Sequence, residues 1–242
     1  MNNNPLIVAL DVDNFEQARV LVDELGDSVD VFKIGMQMFT AYGPFVTRYV
    51  QSRGKKVFLD LKFHDIPNTV ASGVKSAVSL SVPPNKDPQF APLFMLTIHT
   101  QGGLEMMQAA AKAAKEKAGE LNVQRPLIVG VTVLTSTAAD ANTPKVVLER
   151  AQLAQQAGLD GVVASVEEAA MIRQHCGKDF VIVTPGIRPA GADVGDQKRV
   201  ATPAVAIAAG SNYLVVGRPI VADKAPKAAA LNILKEIHSA KG

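Results

Sequence analysis

The chain has little of what would tie it to an oxidising compartment, a membrane or a nucleic acid. Its one cysteine, Cys176, excludes an intramolecular disulfide and suits a reducing compartment. The start, Met1-Asn2-Asn3-Asn4-Pro5, lacks the basic residues and apolar stretch of a secretory signal. No apolar run reaches the roughly 18 residues that span a bilayer. The expected location is therefore the cytoplasm. Lys plus Arg number 25 against 23 Asp plus Glu, without a basic run or basic–aromatic interleaving, which argues against a nucleic-acid partner. The sequence also lacks a Walker phosphate loop, a Gly-x-Gly-x-x-Gly turn, a Gly-x-Ser-x-Gly elbow and a His-Glu-x-x-His pair.

What is present is a rhythm. Hydrophobic residues make up 48% and charged residues 20% of the 242, a composition that buries a substantial core. Short β-branched runs lie at 6–12, 31–36, 56–63, 94–100, 127–135, 161–165, 180–187 and 213–220. Amphipathic stretches alternate with them near 15–25, 38–52, 67–79, 103–118, 145–157, 167–175, 203–209 and 226–238. Pro67, Thr143-Pro144 and Thr202-Pro203 read as helix starts, the threonines as caps. The strands lack simple alternation, as expected when both faces are covered. Eight such units predict a single-domain (β/α)8 barrel over 1–242; an open doubly wound sheet has the same periodicity. The stretch 81–92, with four prolines, reads as a surface loop at the barrel bottom, away from the chemistry.

In a barrel, catalytic groups belong at strand C-terminal ends. Asp11 closes the first run, Lys33 lies in the second, and the third ends Asp60-Leu61-Lys62-Phe63-His64-Asp65. Asp60 and Lys62 are two apart and so share a face of the strand. With Asp11 and Lys33 at matching heights, the expectation is an alternating network Asp11, Lys33, Asp60, Lys62. One such charge is compatible with a structural ion pair; burying four without a use is costly. The interleaved lysines argue against a metal, because an ammonium already takes the cation's place. Pro185-Gly186-Ile187-Arg188 and Gly217-Arg218 have the parts of a phosphate site after strands seven and eight. The stretch 189–197 has two glycines and reads as a mobile lid or a passive loop. His64 and His99 lie near strand ends, where either touches the site or serves structure.

The run Asp60-Leu61-Lys62-Phe63-His64-Asp65-Ile66-Pro67-Asn68-Thr69 resembles the signature of the orotidine 5′-monophosphate decarboxylase family. Val8-Ala9-Leu10-Asp11, Val131-Thr132-Val133-Leu134-Thr135-Ser136, Thr184-Pro185-Gly186-Ile187-Arg188-Pro189 and Val216-Gly217-Arg218-Pro219 are similar to its other motifs and occur in family order. The resemblance implies a TIM barrel of the ribulose-phosphate-binding type, a homodimer, no metal or organic cofactor, and conversion of orotidine 5′-monophosphate to UMP and CO2. It also implies roles. Asp11 and Lys33 bind ribose hydroxyls. Asp60 lies beside the substrate carboxylate, and Lys62 gives a proton to C6. Asp65 and Thr69 complete the partner subunit's site. Thr135 and Ser136 lie near the ligand, Ser136 at the pyrimidine amide. Gln197 links base and phosphate, and Arg188, Gly217 and Arg218 hold the phosphate. Two rival readings remain: a magnesium-dependent sugar-phosphate decarboxylase or synthase sharing the Asp-x-Lys-x-x-Asp core, and a catalytically silent nucleotide-binding barrel.

Overall fold

The computed structural model describes residues 4–135, 140–189 and 200–240. Eight parallel strands close into a barrel in chain order: β1 Leu6–Ala9, β2 Val31–Gly35, β3 Lys56–Phe63, β4 Leu93–His99, β5 Leu127–Val131, β6 Gly161–Val163, β7 Val181–Thr184 and β8 Tyr213–Val216. Closure is the pairing of β1 with β8, which matches Ile7 to Val215. Around it run α1 Phe15–Leu25, α2 Met36–Tyr42, α3 Pro44–Ser52, α4 Pro67–Val78, α5 Gly103–Leu121, α6 Thr143–Gln156, α7 Val166–Cys176, α8 Pro203–Ala208, α9 Arg218–Val221 and α10 Pro226–Ser239. No described helix is long and apolar enough to cross a membrane.

The core divides as a closed parallel sheet requires. Leu6, Val8, Phe32, Ile34, Val57, Leu59, Leu96 and Ile98 pack outward against the helices. Ile7, Ala9, Val31, Phe58, Met95, Val129, Val183, Tyr213 and Val215 form a separate inner cluster that plugs the barrel. Alternate positions of each strand thus serve two apolar environments, which is why no polar face shows in the sequence.

Several boundaries differ from the sequence expectation. The helix expected over 38–52 is two helices, because Gly43 adopts φ 54 and Pro44 follows it. Pro44 has no N–H to continue the ladder. The runs 6–12, 31–36, 127–135, 180–187 and 213–220 leave the ladder early, at Ala9, Gly35, Val131, Thr184 and Val216. Apolar residues continue into the loops that cover the barrel mouth, so composition alone overruns the strand. The eighth run hides the short helix α9. Thr202 caps α8 by accepting from the Val205 N–H at 3.3 Å. Thr143 is instead the first residue of α6, with Asn142 at the cap position, and its hydroxyl bonds Asp140 at 2.8 Å.

The proline-rich stretch lies where expected, entering the N-terminal end of β4. Ala91 N–H donates to Gln51 O at 3.0 Å, and Leu93 N–H donates to Ser81 Oγ at 3.1 Å. None of its residues lines the cavity at the opposite end of the barrel.

Candidate active site

The expected alternating network exists, with one correction to its geometry. Lys33 Nζ bonds Asp11 Oδ1 and Oδ2 at 3.0 and 3.1 Å and stands 3.6 Å from Asp60 Oδ2. Lys62 Nζ bonds both Asp60 oxygens at 2.9 Å. Asp11 and Lys33 are not at matching heights, however. The ladder pairs Lys33 with Ala9, two residues before Asp11, and pairs Gly35 with Asp60. The Lys33 backbone therefore sits one inward-facing layer below the carboxylates, and its long side chain rises between them. Gly35 makes the passage. A Cβ there would come within 3.1 Å of both Asp11 Oδ1 and Lys33 Nζ, so the bonded pair would have to shift by a few tenths of an ångström.

The second departure concerns Lys62. Regular alternation was the reason for expecting Asp60 and Lys62 on one face, yet Lys62 has φ 51 and the β3–β4 register shifts between Leu59 and Phe63. A side chain with a Cβ enters this left-handed region at about 1–2 kcal/mol, so something must hold it there. Thr97, on β4 and fully buried, accepts the Lys62 N–H on Oγ1 at 2.8 Å and donates to Asp60 Oδ1 at 3.0 Å. The side chains still converge, but through a bulge.

Across the barrel mouth lies the second cluster. Pro185, Gly186 and Arg188 follow β7, and Gly217 and Arg218 follow β8; all line the same cavity as Asp11, Lys33, Asp60 and Lys62. Arg188 is buried, its backbone tied to Ala201 O at 2.9 Å and its guanidinium to Ile187 O at 2.9 Å. Arg218 is the first residue of α9. Val131, Val133, Leu134 and Thr135 form another wall, with Phe58 and Val163 below. The cavity measures about 490 Å³, within the range of small-molecule sites. It gathers balanced ion pairs and two arginines around one space, which suits a small anionic molecule.

The chain resembles known proteins over nearly its whole length. Residues 4–233 match the family described as "Orotidine 5'-phosphate decarboxylase / HUMPS family". The chain belongs to this family. Among curated relatives, the orotidine 5′-phosphate decarboxylase of Moorella thermoacetica is 49% identical, with 98% of this chain and 93% of that protein covered. The Vibrio cholerae enzyme of the same name (strain O395) is 47% identical, with 99% of each covered. Among solved structures, the orotidine 5′-phosphate decarboxylase of Lactobacillus acidophilus superposes with TM-score 0.80 at 37% identity, covering 97% of this chain and 99% of that one.

Not every residue expected from the family motifs reaches the cavity. Asp65 and Thr69 are exposed and do not line it. Asp65 Oδ1 accepts the Ile66 N–H at 2.7 Å, and Thr69 lies in the first turn of α4. Between them Ile66 is 66% exposed. Ser136 and Gln197, with most of the expected lid, lie outside the described residues. His64 and His99 do not line the cavity either; their rings stack at 5.4 Å between centroids. Burial lowers the His99 pKa from its usual value, and electrostatic interaction with His64, Arg150 and Lys62 lowers it further.

Thr97 and Gly35 bear on the site without being among the residues expected there. Thr97 carried a usable signal: a polar residue inside the apolar run Leu93–His99, the same signal that singled out Lys33. Gly35 had none, since its role depends on which side chains rise beside it.

Proposed function

We propose that this chain decarboxylates orotidine 5′-monophosphate to UMP and CO2 in pyrimidine biosynthesis, acting in the cytoplasm as a homodimer without a metal or organic cofactor. The observation that carries the reading is the unbroken Asp11–Lys33–Asp60–Lys62 chain of charges facing Arg188 and Arg218 across one cavity. Family membership supports the reaction, and the single cysteine supports the compartment.

The substrate's phosphate goes to Arg188, Gly217 and Arg218, and its ribose hydroxyls to Asp11 and Lys33. The pyrimidine then meets Thr135, with Ser136 at its amide and Gln197 linking base to phosphate. The C6 carboxylate is left beside Asp60 and Lys62. The C6–CO2 bond breaks with its electron pair remaining on C6, and CO2 departs. One proton of the Lys62 ammonium then moves to C6, and neutral Lys62 regains a proton from solvent. Lys62 Nζ lies 2.9 Å from both oxygens of the single Asp60 carboxylate, and an ammonium has three donors, so a proton remains for C6.

Electrostatics sets how much each part supplies. A unit charge at about 4 Å gains roughly 4 kcal/mol at an effective dielectric near 20, whereas enzymatic accelerations need about 8–23 kcal/mol. Lys62 alone is insufficient. Asp60 adds repulsion against the substrate carboxylate, and the remote phosphate grip is used to hold the reacting end against that repulsion.

The exposure of Asp65 and Thr69, flanking the exposed apolar Ile66, supports their serving a second subunit's site. The direct test is loss of pyrimidine absorbance on adding orotidine 5′-monophosphate, with and without chelator. Turnover unaffected by chelator is expected. No turnover, or turnover abolished by chelator, refutes the reading.

A further inference from the structure

We infer that Thr97 is a positioning residue that sets the proton-donor geometry of Lys62. The inference rests on the assignment of Lys62 as donor and adds what holds it in place. Its hydroxyl joins two groups that the register shift would otherwise leave apart. It accepts the Lys62 backbone N–H at 2.8 Å and donates to Asp60 Oδ1 at 3.0 Å. A hydroxyl has one proton to give. With the N–H occupying an acceptor lobe, that proton goes to the carboxylate, so the direction of both bonds is fixed.

The consequence reaches the reacting end. Lys62 sits at φ 51 where the β3–β4 ladder is irregular, and its N–H takes the Thr97 hydroxyl. The same hydroxyl holds one Asp60 oxygen while Lys62 Nζ bonds both. Backbone and ammonium of Lys62 are thereby tied to one atom of β4, directly and through Asp60. Thr97 is fully buried, on a strand, and β-branched, so its χ1 is stiff and the hydroxyl is preset. Valine has the same shape without either bond.

The test compares Thr97→Val, Thr97→Ser and Lys62→Ala in the intact enzyme. The kcat of Thr97→Val is expected to fall roughly 10- to 100-fold, the scale of an ångström-sized displacement of a catalytic group, with KM changed far less. Thr97→Ser recovers most of the rate. A second readout follows the proton alone. By microscopic reversibility, wild-type enzyme in D2O exchanges the C6 hydrogen of UMP for deuterium through Lys62. Thr97→Val should slow this exchange in parallel with kcat, whereas a loss confined to thermal stability leaves it untouched. If Thr97→Val does not fold, Thr97→Cys replaces it as a weak hydrogen-bonder of similar size, and a kcat equal to that of Thr97→Ser overturns the inference. Unchanged kcat and exchange in Thr97→Val, with Lys62→Ala inactive, overturn the role of Thr97 alone. An active Lys62→Ala overturns the donor assignment beneath it.

Discussion

Asp60 holds the centre of the charge network, and replacing it by asparagine separates its charge from its hydrogen bonds. Lys62 Nζ lies 2.9 Å and Lys33 Nζ 3.6 Å from Asp60 Oδ2. At an effective dielectric near 20 these distances correspond to gross attractions of about 6 and 5 kcal/mol. Most of that is offset by the desolvation of a carboxylate on a side chain only 12% exposed. Breaking a buried pair on one side costs about 3–5 kcal/mol net. Asparagine keeps an oxygen for Thr97 and Lys62, and Lys33 keeps Asp11, so the lower end applies. For a domain of this size, a loss of about 3 kcal/mol lowers Tm by roughly 6–12 °C.

The ligand response then runs the other way. The substrate carboxylate no longer meets a fixed negative charge and finds two under-compensated ammonium groups. A charge at about 4 Å is worth roughly 4 kcal/mol, so the preference for orotidine 5′-monophosphate over UMP is expected to rise at least about tenfold and at most about 10³-fold. Turnover falls at the same time. Thermal unfolding of wild type and Asp60→Asn measures the first effect, and rapid-mixing binding of orotidine 5′-monophosphate before turnover, set against UMP binding, measures the second. An unchanged Tm together with an unchanged preference between the nucleotides refutes the electrostatic account.

Other perturbations probe the remaining parts. Arg218→Ala removes a charge-assisted bond of about 1.5–3 kcal/mol, so kcat/KM on the nucleotide should drop roughly 10- to 100-fold and far less on the phosphate-free nucleoside; equal losses refute the phosphate assignment. If the proposed site is shared between subunits, an Asp65→Ala chain mixed with a Lys62→Ala chain should recover activity, each heterodimer then holding one intact composite site. Heterodimers that form and stay inactive count against sharing. His99 has its pKa lowered from 6.5 in the folded chain, so near and below that value the unfolded chain binds more protons. Stability should therefore decline as pH falls through about 6.5 toward the lower folded value, and His99→Gln should flatten this decline in acid unfolding curves.

The sequence by itself determined the strand–helix rhythm and most of the charged set, while closure into a barrel rather than an open sheet is the pairing of β1 with β8. Eight β-branched runs separated by amphipathic stretches have few ways to cover both faces of a parallel sheet, and a charge inside such a run stands out against its neighbours. Asp11, Lys33, Asp60 and Lys62 were legible for that reason, and Arg188 and Arg218 through the glycines beside them at the ends of the seventh and eighth runs. Only the tertiary structure decided how they meet. Lys33 sits a layer below its partners and rises past Gly35, because strand register sets height and register is a property of paired strands. Lys62 enters a left-handed conformation, because β3 and β4 fall out of step above Leu59. Thr97 joins Lys62 to Asp60 across 35 and 37 residues of chain, a distance in sequence over which no local spacing carries a signal.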